Sequence, residues 1–144
     1  AHRMALVAEI SGVRYVDDSK GTYIGAVAAA LASCGDRVIL IAGGRNKGSD
    51  FSLLAASVAR HVRHLILIGE AAALMAEQLG SLVPVTRAGS MEDAVRRAAE
   101  IARAGDTVLL SPACASFDMF NSYAHRGEVF RQAVQELRSV HHCN

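Results

Sequence analysis

Charge of one sign is what this sequence most lacks. Fifteen lysines and arginines stand against fourteen acids, for a formal net charge of +1. The basic residues are scattered among the acids, so the basic stripe that nucleic-acid binding requires is missing. Long hydrophobic runs are missing too: no apolar stretch approaches the roughly 18–20 residues of a membrane span. The first residues show no basic segment, apolar stretch and small-residue cleavage site in succession, so no signal peptide is read there. Cysteine is sparse and odd in number. Cys34, Cys114 and Cys143 have no metal-ligand spacing, and thiols in a reducing cytoplasm fit them better than a disulfide framework. Aromatics make up 5% of the chain, and tryptophan is absent. His2 and His125, the histidines nearest the polar loops, lack metal partners at helical spacing, and His141-His142 reads as tail sequence, so no metal site is expected.

What is present is a chain of 144 residues, 51% hydrophobic and rich in alanine, long enough for one good core. Residues 4–10 and 13–17 are β-prone runs around Ser11-Gly12, which predicts a hairpin. Strand and helix then alternate. Strands are predicted at 37–42, 64–69, 83–87 and 107–110, and helices at 23–33, 51–60, 70–79, 90–103 and 127–138. Ser90 followed by Asp93 looks like a capping box. The alternation with short loops predicts an α/β fold: a Rossmann-like, mainly parallel sheet with helices on both faces and an N-terminal antiparallel hairpin. The chain, residues 1–144, is read as a single domain. Its start, Ala-His-Arg without Met, reads as a piece of a longer protein.

In such sheets ligands bind beyond the carboxyl ends of the strands. Three polar loops are expected there: 17–22, 43–50 and 111–123. They offer the cations Lys20, Arg45 and Lys47, the hydroxyls of Ser19, Thr22, Ser49, Ser111 and Ser116, and the acids Asp17, Asp18, Asp50 and Asp118. Asp18-Ser19-Lys20-Gly21-Thr22 opens a helix, where free N–H groups attract phosphate or carboxylate. Neither a Walker A loop nor a Gly-x-Gly-x-x-Gly fingerprint occurs. Any single lysine reads best as a solvated loop cation, but the convergence of three loops predicts an anion site. Cys114 sits in the last of these loops. It has no sequence-local His to activate it and reads as a packed thiol rather than a nucleophile.

Four stretches carry a resemblance. His2-Arg3, Asp18-Ser19-Lys20-Gly21-Thr22, Gly43-Gly44-Arg45-Asn46-Lys47-Gly48-Ser49-Asp50-Phe51 and Leu110-Ser111-Pro112-Ala113-Cys114-Ala115-Ser116-Phe117-Asp118-Met119-Phe120 match, in order and spacing. Together they resemble the C-terminal domain of the Mur ligases, over nearly the whole chain. The Asp-Ser-Lys-x-Thr loop resembles the branch that adds D-glutamate, although the family usually has Ala and Asn where this chain has Gly21 and Tyr23. The resemblance implies a three-domain bacterial cytoplasmic enzyme of peptidoglycan precursor synthesis. ATP and Mg2+, bound mainly by a central domain absent here, would activate the carboxylate of UDP-N-acetylmuramoyl-L-alanine as an acyl phosphate. The amine of D-glutamate would then attack it. It further implies that Thr22, Lys47, Ser116 and Phe117 hold D-glutamate, with Tyr123 lining the pocket. Arg3, Asp18 and Lys20 would touch the nucleotide. No phosphate-binding loop lies in these residues, so the isolated chain is expected to be inactive as a ligase.

Two other readings compete. A free-standing nucleotide- or anion-binding module would bind nucleotide with no amino-acid preference. A structural or regulatory interaction domain would leave its loops indifferent to any small ligand.

Overall fold

The structure is a computed structural model; it describes residues 2–46, 48–116 and 119–143. The chain opens with the hairpin β1 (Ala5–Ile10) and β2 (Val13–Asp17). Its turn residues Ser11 and Gly12 have φ of 53° and 79°, the paired positive values of the turn whose twist matches that of the flanking strands. Then follow α1 (Ile24–Cys34), β3 (Val38–Gly43), α2 (Ala55–His61) and β4 (Val62–Ile68). After these come α3 (Ala72–Leu79), β5 (Val85–Arg87), α4 (Met91–Ile101), β6 (Thr107–Leu110) and α5 (Tyr123–Cys143). A 3-10 turn, Phe51–Leu54, leads into α2.

The six strands form one sheet in the order β1-β2-β6-β3-β4-β5. The hairpin pair is antiparallel, and every other pairing is parallel. The expected architecture, including the antiparallel edge, is therefore the one observed.

Strand side chains alternate between two faces. Val38, Leu40 and Ala42 of β3 pack under α1, α2 and α3 with Leu31, Phe51, Val58 and Met75. Ile39 and Ile41 pack on the other face under α4 and α5 with Val95, Phe130 and Val134. Both faces of the central strands are thus buried, which is why 38–42 reads as an unbroken apolar run.

The connection leaving β3 runs to α2 on one face, and the connection leaving β6 runs to α5 on the other. Those two strands are neighbours. The sheet therefore has its switch point between β3 and β6, and in open α/β sheets ligands bind beyond the carboxyl ends of the strands at such a point.

Several boundaries differ from expectation for local reasons. The helix expected from residue 51 begins as a 3-10 turn because Asp50 accepts from Ser52 N–H and O–H, tightening the first turn. Strand β5 is only three residues long. Pro84 just before it has no N–H and serves the ladder only through its carbonyl, to Leu65 N–H at 3.0 Å. Helix α5 starts at Tyr123 rather than near 127. Ser122 caps it, its hydroxyl accepting from His125 N–H at 3.0 Å and its carbonyl from Arg126 N–H at 3.0 Å.

Candidate functional site

The three polar loops meet through backbone bonds. Asp18 N–H donates to Leu110 O at 2.8 Å, and Ala113 N–H to Gly21 O at 2.9 Å. Gly43 N–H donates to Pro112 O, and Arg45 N–H to Ala115 O, both at 2.9 Å. Gly44 makes the last approach possible. Its φ is 135°, and a Cβ there would lie 2.5 Å from Ala115 O. The convergence expected from sequence is therefore present for 17–22, 43–46 and 111–116.

Two adjacent carboxylates end β2, and their environments push them apart. Asp17 is fully buried. Its carboxylate accepts from Ser19 N–H at 2.9 Å and Arg131 Nε–H at 3.1 Å, and lies 2.7 Å from His2 Nδ1. Burial alone would raise its pKa, but the Ser19, His2 and Arg131 contacts together outweigh that and hold it below the usual carboxylate range. Asp18, 4% exposed, accepts from Met4 N–H at 3.1 Å and from the Ser111 hydroxyl at 2.9 Å. Here burial prevails over those two donors and raises the pKa.

Beside Asp18 lies a cleft of about 230 Å³ between the β2–α1 loop, the first residues of the chain and the side of α1. Arg3, Asp18, Lys20 and Tyr23 line it, and Ala26 and Ala29 of α1 form its apolar wall. All three residues expected on the nucleotide side thus share one cavity. The volume is below the roughly 300–1,000 Å³ of a complete small-molecule site. Among the described residues no group of three or more metal-ligating side chains occurs.

The residues expected to bind the amino acid divide. Thr22 is partly buried at the mouth of α1, its N–H donating to Lys20 O at 2.9 Å. Ser116 is buried, and its carbonyl accepts from Met119 and Phe120 N–H at 3.2 and 2.9 Å in the turn before α5. Tyr123, 39% exposed, faces the Lys20 side: Lys20 Nζ lies 5.6 Å from its ring centroid, and the His2 ring meets it edge-on at 6.2 Å. Lys47 and Phe117 lie outside the described residues. Cys114 is buried, as a packed thiol would be.

One residue escaped the sequence reading. Arg126 is completely buried. Its Nη1–H donates to Cys114 O at 2.9 Å and its Nη2–H to Ser19 O at 2.7 Å. Next to it, Gly127 has no room for a side chain, since a Cβ would fall 2.3 Å from His2 Nδ1 and 2.6 Å from Ser19 Oγ. A signal existed. Arg126, Phe130, Ala133 and Val134 are all buried on one face of α5, at the i, i+4, i+7, i+8 spacing of a core-facing stripe.

A family model described as "Mur ligase, glutamate ligase domain" matches residues 2–114. The chain belongs to this family. Among curated relatives, a UDP-N-acetylmuramoylalanine--D-glutamate ligase of Cupriavidus pinatubonensis is 56% identical over 137 residues, 94% of this chain and 27% of the relative. One from Syntrophotalea carbinolica is 53% identical, over 95% of this chain and 30% of its own. The chain thus spans under a third of the curated relatives it matches. Among solved structures, a murein peptide ligase of Psychrobacter arcticus superposes with a TM-score of 0.62 at 18% identity, covering 96% of this chain and 29% of the other. A folylpolyglutamate synthase of Thermotoga maritima gives 0.58 at 12% identity, covering 78% and 28%. These structural likenesses bear on the fold.

Proposed function

We propose that this Mur ligase domain is the amino-acid-binding C-terminal part of a three-domain, ATP-dependent ligase. That bacterial cytoplasmic enzyme would join D-glutamate to UDP-N-acetylmuramoyl-L-alanine in peptidoglycan precursor synthesis. The observation that carries the proposal is the identity of 53–56% to D-glutamate ligases of which the chain matches under a third. The joined loops supply its physical basis.

A dicarboxylate amino acid needs cations and hydroxyl or backbone donors, and charge-assisted bonds are the strong ones. Thr22 and Ser116 sit on the two loops tied by the Ala113–Gly21 bond, and Tyr123 opens α5. With Lys47 and Phe117 they form the proposed D-glutamate set. ATP would supply the phosphoryl group that activates the acceptor carboxylate. Arg3 and Lys20 present positive charge at the cleft for its phosphates, and Asp18 offers an acceptor for its ribose. Mg2+ would be held from outside this chain. The domain's contribution is then positioning: it brings the amine to the activated carboxyl and keeps water away. Without a phosphate-binding loop of its own it has no independent ligase activity.

An amide-resolved NMR titration with D-glutamate, L-glutamate and ADP tests this. We expect D-glutamate, and not L-glutamate, to shift Thr22, Lys47 and Ser116, and ADP to shift residues 18–20. Equal responses to the two enantiomers would overturn the reading. So would a full-length protein that releases no phosphate in response to D-glutamate.

A further inference from the structure

Three loops from distant parts of the sequence meet on one side chain that the proposed function leaves without a role. The Arg126 guanidinium holds the Ser19 carbonyl, one residue before Lys20, and the Cys114 carbonyl, two residues before Ser116. The third loop passes close by: a Cβ added at Gly44 would stand 3.5 Å from Nη1. A turn away on α5, Tyr123 carries the ring that faces Lys20.

Burying a guanidinium is costly, and an apolar side chain would often serve stability as well or better. What an apolar side chain cannot do is hold two carbonyls in fixed relation. The planar fork of arginine does that, whereas lysine, a point charge on a flexible stem, does not.

We propose that Arg126 is a positioning residue that couples the nucleotide side of the site to its amino-acid side. This rests on the functional reading above. Movement of the Lys20 loop on binding nucleotide carries the Ser19 carbonyl with it. The guanidinium passes the shift to Cys114, and so to Ser116 and Tyr123. Occupancy of one side then preorganises the other.

Reciprocal titration calorimetry on the full-length ligase tests the inference. The D-glutamate affinity is measured with and without saturating Mg-ADP, and the Mg-ADP affinity with and without D-glutamate. In the wild type each ligand should strengthen the other by the same factor, about fivefold or more. In Arg126→Lys, which keeps the charge and loses the fork, that factor should fall to about one while both ligands still bind. A purely structural arginine would lower the melting temperature of Arg126→Lys and leave the factor intact, and that result overturns the inference. A factor of about one in the wild type does the same.

If Arg126→Lys does not fold, hydrogen exchange on the wild type decides. Mg-ADP should slow exchange in 111–116, and D-glutamate in 18–22. Protection confined to each ligand's own loop overturns the coupling. Failure of the functional reading is distinguishable, because the wild type would then bind no D-glutamate under any condition.

Discussion

Two neighbouring aspartates at the end of β2 carry opposite consequences for stability. Asp18 is buried, with its pKa raised, so its charged form costs folding free energy at neutral pH. Asn matches its shape and can keep the Met4 N–H bond through its carbonyl oxygen, while its NH2 faces the Ser111 hydroxyl. Asp18→Asn should therefore unfold at an equal or higher urea concentration at pH 7, and bind ADP about tenfold more weakly. A urea midpoint measured beside an ADP titration checks both halves. A variant that loses stability would mean that the carboxylate is kept for folding rather than for ligand. The sequence made Asp18 and Lys20 visible because they stand in a recognisable polar loop, and Arg3 through the family resemblance. Arg126 stayed hidden because nothing local separates a buried arginine from exposed ones such as Arg103 and Arg138; only its place in the apolar stripe of α5 does.

Among the elements, those written as uniform patterns were the legible ones. The apolar runs of β3, β4 and β6 and the hairpin around Ser11-Gly12 fall within two residues of expectation. Helix α4 is the clearest case. The Ser90 hydroxyl accepts from Asp93 N–H at 3.0 Å, and the Asp93 carboxylate reaches back to Gly89 N–H at 3.1 Å. Ser90→Ala should cost about 1 kcal/mol and lower the melting temperature by about 4 °C, as read by differential scanning calorimetry. What misled at this scale was punctuation. Gly127 looked like the boundary of the last helix, yet it sits inside α5, where His2, Ser19 and Asp17 leave no space for a Cβ. A glycine required by a long-range contact is indistinguishable in sequence from one that ends a helix.

The whole molecule is braced at both ends of its sheet. Beyond the carboxyl ends, Asp17 ties the hairpin to His2 and Arg131. At the amino end, Asp106 is fully buried between Arg37 at 3.1 Å and Arg63 at 2.5 Å, and also accepts from Arg103 N–H at 2.8 Å. Burial pushes the Asp106 pKa up, but the Arg103 N–H and the Arg63 and Arg37 guanidinium groups together bring it below the ordinary value. A depressed folded-state value gives stability that is present above the unfolded pKa of about 3.9 and is lost as pH falls through the folded one. Asp106→Asn should therefore cost about 2–4 kcal/mol from pH 5 to 7, with the partial exposure of both arginines discounted. Its gap to the wild type should close below about pH 4. Urea unfolding across that range would show it, and a gap that widens in acid would refute it.

This bracing also separates a working end from a handling end. The binding loops emerge beyond the carboxyl ends of the strands, while the α1–β3 connection, with exposed Asp36, lies at the opposite end. A fluorophore, an affinity tag or a tether to a sensor surface attached there would be held by a rigid frame. It would face away from every residue proposed to meet a ligand.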